Sequence, residues 1–148
     1  MFSMTRVRLA ALFLIAAAVL AGGAAPALGA GCDLAPIGDE PNAFGTATLS
    51  GLKYAGPGEW PYVYYVGNLS VTCRDLTPGA TYTVNYMGFV FGQFTADANG
   101  NGATKARIYV RAQVIVVGKK HGVAFDFVHV TVQRDAGPTV LEGSFYPR

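Results

Sequence analysis

Few residues in this chain of 148 are of types that do chemistry, and their spacing limits what they could do. There are two histidines and two cysteines. His129 stands in the run VAFDFVHVTVQ, while His121 sits beside Lys119 and Lys120 in GKKHG. A zinc site needs three or four converging ligands, which one strand histidine and one turn histidine do not supply. Asp126 lies three residues before His129; in a strand that odd offset puts the two on opposite faces, so they do not form an acid–base pair. No Ser, His and Asp grouping has local support, so no catalytic residue is assigned and the expectation is a protein that is not an enzyme and takes no cofactor.

One loop has the composition of a calcium site. Asp97, Asn99 and Asn101 in DANGNG match the first half of an EF-hand loop. The twelfth position falls on Ile108, which has no oxygen to offer, and two Asn-Gly pairs between strands make a hairpin turn unaided. A bare turn is the expectation there. Two surfaces are candidates for binding. Trp60, Tyr62, Tyr64 and Tyr65 crowd a proline-flanked segment; these rings either fill the core or form an apolar platform for sugar rings or a protein partner. Lys105, Arg107, Tyr109 and Arg111 share one face of an alternating segment, a basic strip for an anionic polymer or a solvated strand face that blunts an edge. Asn68-Leu69-Ser70 is a glycosylation sequon, meaningful in a eukaryotic secretory pathway.

The compartment follows from the first 30 residues. Arg6 and Arg8 precede an apolar run over residues 9–21, and small residues follow up to Leu28-Gly29-Ala30. That order predicts a Sec-type signal peptide cut near Ala30. The run falls short of the roughly 20 residues that cross a bilayer, so no transmembrane anchor is expected in the mature chain. Without Arg6 and Arg8, nine Lys and Arg balance nine Asp and Glu. The mature part is near neutral, and nucleic acid is not an expected partner. Both cysteines, Cys32 and Cys73, lie beyond the leader. An even count in an exported chain predicts a disulfide between them, worth about 4 kcal/mol by loop closure. The rival reading makes Cys32 a lipidated N-terminus, which leaves Cys73 unpaired.

The mature part suits one domain. Residues 31–43 carry two prolines and no periodicity and read as an arm; residues 44–148 read as strands and turns. Strands are expected near 44–52, 62–74, 81–87, 89–96, 103–111, 123–133 and 140–146, with AQVIVV leading into the hairpin at GKKHG. The run 123–133, apolar on both sides, is expected in the middle of a sheet covered on both faces. Seven to nine short antiparallel strands with regular turns predict an all-β sandwich.

Leu76-Thr77-Pro78-Gly79-Ala80-Thr81-Tyr82 is the most specific local signal. Pro78 and Gly79 suit the two central positions of a type II turn. Leu76 can then enter the core while the Tyr82 hydroxyl bonds back to the corner backbone. This stretch resembles the tyrosine corner of fibronectin type III and immunoglobulin-like domains, and with GQFTADANGNG over residues 92–102 it is similar to exported bacterial proteins of unassigned role. The resemblance implies an immunoglobulin-like β-sandwich and brings no active-site residues. The expected function is a non-enzymatic exported binding or structural module, at the cell surface or outside the cell, with a protein or carbohydrate partner. The alternatives are a small secreted enzyme or inhibitor with a loop-built site, or a subunit of an extracellular assembly.

Overall fold

Period-two alternation becomes strand along most of the described residues. The structure, a computed structural model, describes residues 30–135 and 137–147; the expected leader lies outside them up to residue 29. Nine strands and no helix occur among the described residues: β1 (Ala30–Pro36), β2 (Phe44–Pro57), β3 (Tyr62–Arg74), β4 (Thr81–Tyr86), β5 (Phe89–Thr95), β6 (Gly102–Val117), β7 (Lys120–Phe125), β8 (Val128–Arg134) and β9 (Thr139–Phe145). Accordingly, no helix of the described residues is long and apolar enough to cross a membrane. All pairings are antiparallel, in the order β5-β4-β8-β9-β1-β2-β3-β6-β7.

The strands form one curled sheet, a half-barrel, where two separate sheets were expected. Strand β1 is the cause. Its first five residues pair with β2, Ala30 opposite Leu49 through Leu34 opposite Gly45, and its last two, Ala35 and Pro36, pair with β9. The first part of the segment read as an arm is therefore the joint of the sheet. Inside the curl lie Leu34, Leu49, Leu69, Val71, Val84, Val110, Val128, Val130, Val132 and Leu141, all buried in one cluster. Each such side chain contributes about 1.5–3 kcal/mol by leaving water. The run 123–133 is also not one strand. It breaks at Asp126 and Phe127: β7 lies at one edge of the sheet and is largely exposed, whereas β8 lies between β4 and β9. Asp126 is drawn off by Arg111, whose Nε donates to its Oδ2 at 2.7 Å.

The expected disulfide does not form; Cys32 and Cys73 are free thiols. Strand β2 lies between them. Cys32 pairs with Ala47 of β2, and Cys73 with Gly45, two residues away. Two strand spacings of about 4.8 Å already exceed the roughly 7 Å limit on the Cα separation of a bridge. Burial pushes the Cys73 thiol up to about 12, and burial followed by Asp33 raises Cys32. Under native conditions iodoacetamide is expected to label Cys32 slowly and Cys73 not at all, while both label after denaturation without reductant. An intact mass showing no thiol to label in the denatured, unreduced protein would restore the disulfide.

Another pin holds the N-terminal segment. Leu76 enters the core and the Tyr82 hydroxyl accepts from the Thr77 amide at 3.0 Å, as the corner motif requires. The same hydroxyl donates to Glu40, which is only 7% exposed. Glu40 also accepts from the Thr77 amide (2.7 Å) and hydroxyl (2.9 Å), and pairs with Arg134 at 2.7 Å. Burial works to raise this carboxyl, but hydrogen bonds from Arg134, Tyr82 and Thr77 outweigh it and leave Glu40 below the ordinary carboxylate range. Glu40 thus joins the β1–β2 connection, the corner and the end of β8.

Candidate ligand-binding face

Residues directly opposite each other in a ladder share a face. The register of β2, β3 and β6 therefore decides what the outside of this half of the sheet displays. On β3, Val63, Tyr65, Gly67, Leu69, Val71 and Cys73 alternate toward the core side; Tyr62, Tyr64, Val66, Asn68, Ser70, Thr72 and Arg74 point away. Across the ladder, Tyr64 lies opposite Arg111, Val66 opposite Tyr109, Asn68 opposite Arg107 and Ser70 opposite Lys105. On the other flank β2 places Lys53 beside Val66, Ser50 beside Asn68 and Thr48 beside Ser70.

The two candidate surfaces, the tyrosines and the basic strip, are thus one surface. Tyr62 and Tyr64 lie next to Arg111, whose guanidinium carbon sits 4.2 Å from the Tyr62 ring centre. At the opposite end Arg74 stacks on Phe44 at 4.6 Å. The hydrogen bond that Arg111 donates to Asp126, and that carboxylate's field, raise the Arg111 guanidinium above its ordinary range. Among the described residues no carboxylate is in ion-pair contact with Lys53, Lys105 or Arg107. Trp60, at 75% exposure, projects from the β2–β3 loop, where Pro61 accepts from the Val114 amide and the Gly58 amide donates to Tyr62. Tyr109 is 62% exposed and Tyr64 38%. Tyr65 belongs to the other face, its ring 4.9 Å from Phe125 and 5.8 Å from Tyr54.

The chemistry available is that of a polar sheet surface. Hydroxyls of Thr48, Ser50 and Ser70 and the Asn68 amide can exchange hydrogen bonds with sugar hydroxyls. Lys53, Lys105 and Arg107 attract carboxylate or sulfate, and tyrosine rings accept the apolar faces of pyranose rings. Lys53 and the β2 hydroxyls went unnoticed in the sequence, and Asn68 and Ser70 were read there only as part of a sequon, although the alternation in 62–74 already set both on the side of Tyr64. Beside the face, Tyr86, Phe89, Val90, Phe91 and Tyr109 line a groove of about 380 Å³ between β5 and β6. It is bridged where the Tyr86 hydroxyl donates to the Tyr109 carbonyl at 3.0 Å.

The remaining candidates stand elsewhere. Asp97 turns its Oδ1 inward to accept the Asn99 and Asn101 amides at 2.8 and 2.9 Å, so that oxygen shapes the turn. His121 is exposed in β7, opposite Val116 and just past the turn. His129 is within 2.8 Å of the Ser144 hydroxyl through Nδ1 and 3.6 Å from Glu142 through Nε2. Ser144 lies directly opposite His129 in the β8–β9 ladder, so these contacts are those of cross-strand neighbours on one face. The chain matches no family model, no curated protein and no solved structure.

Proposed function

We propose that this chain is an exported, non-enzymatic binding module whose β2–β3–β6 outer face takes an anionic polysaccharide, outside the cell or at its surface. The observation that carries this reading is the merging of the tyrosines and the basic strip, with Lys53, Lys105 and Arg107 lacking carboxylate partners among the described residues. A near-neutral mature chain that gathers unpaired cations on one face has charge complementarity to offer there. The immunoglobulin-like reading of the half-barrel belongs to the same proposal, and the Tyr82 corner supports it.

Binding to immobilised uronate or sulfated polysaccharides is expected, weakening as salt rises, with little binding to neutral glucans. Arg107→Glu and Lys105→Glu should each weaken it by about tenfold or more, the worth of one charge-assisted hydrogen bond. Tyr64→Ala should also weaken it, and Lys119→Glu, on the remote turn, should not. Acidic polysaccharide that binds Arg107→Glu as well as wild type, or does not bind wild type, would remove the reading.

A further inference from the structure

Strand β7 lies at the end of the sheet order, and no described strand pairs with its outer side. The hairpin it forms with β6 is apolar and exposed: Ile115, Val116, Val117 and Val123 all face solvent to a considerable degree. We propose that β7 is the dyad of a homodimer, paired antiparallel with β7 of a second copy so that one sheet runs through both.

The register follows from the hairpin. Val117 lies opposite Lys120 across a two-residue turn, Gly118 with φ +64° and Lys119. In such a hairpin the closing pair exchanges both backbone hydrogen bonds, and pairs then alternate between bonded and non-bonded. Lys120, Gly122 and Ala124 therefore turn their amides and carbonyls toward β6. Asp126 continues the series, its amide donating to the Arg111 carbonyl at 2.9 Å. His121, Val123 and Phe125 turn theirs outward. An antiparallel partner uses all three when Val123 meets Val123 of the second copy and His121 meets Phe125.

That register is also the one that suits the charges. It sets Lys120 directly opposite Asp126 of the second copy. Both side chains point to the outer face of the sheet, because Lys120 pairs with Val117 and the Asp126 carboxylate meets Arg111 there. Two Lys120–Asp126 pairs form around one dyad. A parallel arrangement would stack Lys120 on Lys120 instead. Lysines at the end of an edge strand ordinarily discourage pairing; here the antiparallel dyad supplies each with an acid. On the inner face Val123 meets itself, and the Val116–Val123 surface of each copy continues into the other. Such an isologous contact closes at two chains and does not propagate.

Sedimentation velocity of the purified protein is expected to show a concentration-dependent dimer. Val123→Pro removes a free donor and leaves the β6–β7 ladder intact; it should weaken the dimer by about tenfold or more with unchanged circular dichroism, since two shared hydrogen bonds go. Lys120→Glu should weaken it through repulsion from Asp126. Val123→Cys should give a reducible covalent dimer on oxidation, while Val90→Cys, on the β5 edge, should not. A wild type that remains monomeric as concentration rises overturns the proposal, as does a dimer that cross-links through Val90→Cys and not through Val123→Cys.

Discussion

Glu40→Ala is expected to lower stability by about 2–4 kcal/mol and the melting temperature by about 10 °C, because four donors on three residues lose their shared acceptor. The Tyr82 hydroxyl, the Thr77 amide and hydroxyl and the Arg134 guanidinium all converge on this one carboxylate. Arg134 is a third exposed and recovers water, which keeps the cost below that of a fully buried pair. Tyr82, with no exposure at all, recovers nothing. Glu142→Ala on an exposed strand face serves as the control and should stay within about 0.5 kcal/mol. Urea midpoints of the two variants check the difference; a Glu40→Ala midpoint equal to wild type would show that the corner stands without its acid.

The pH dependence has a definite sign. Glu40 is held below its ordinary range in the fold, so its contribution is complete above the unfolded value of about 4.3 and is lost as pH falls through the lower folded value. Acid unfolding of wild type should therefore be steeper below about pH 4 than that of Glu40→Gln, which has no proton to take up. At the alkaline end Tyr82 is raised, by burial first and then by Glu40, so its share of stability is present below about pH 10 and declines as pH rises toward the folded value. Tyr82→Phe should flatten that limb.

Local signals carried most of this architecture. Strands β3, β4, β5 and β9 fall within a residue or two of where alternation and turn residues put them, and the corner at Leu76 and Tyr82 forms as its residues require. What alternation does not contain is which strand pairs with which. The run from Val123 to Gln133 has the same apolar texture throughout, yet hydrogen bonding sends its first part to an exposed edge and its second to a buried interior. Cys32 and Cys73 show the same limit. Even parity and compartment say nothing about an intervening strand, and β2 lies between them. Glu40 escaped notice because it looks like any acid among Asp39, Pro41 and Asn42; its partners are 37, 42 and 94 residues away. The binding face was legible in halves, Tyr62 and Tyr64 on one segment and Lys105 to Arg111 on another. Only the β3–β6 register joins them.

Gly100→Ala is expected to cost about 3 kcal/mol or more, because the corner and the Asp97 turn meet at this residue with no room for a side chain. Gly100 has φ +80° and is buried. Its carbonyl accepts from the Leu76 amide at 3.0 Å, and its own amide donates to Asp97 at 3.0 Å. A Cβ here would lie 2.5 Å from the Leu76 carbonyl oxygen and 3.0 Å from the Leu76 nitrogen, so backbone on one side or the other must move. Movement would loosen Leu76, which is packed in the core, and with it the turn that presents Thr77 to Glu40. Gly79 provides the comparison within the same corner. Its φ is +78°, almost identical, but a Cβ there meets nothing within 4 Å. Gly79→Ala should therefore cost only the left-handed penalty, about 1 kcal/mol. The difference between the two variants isolates the close approach of the two turns from backbone conformation. Equal losses in the urea midpoints of Gly79→Ala and Gly100→Ala would mean that the Leu76–Gly100 contact yields freely, and that the corner is not braced by the loop beside it.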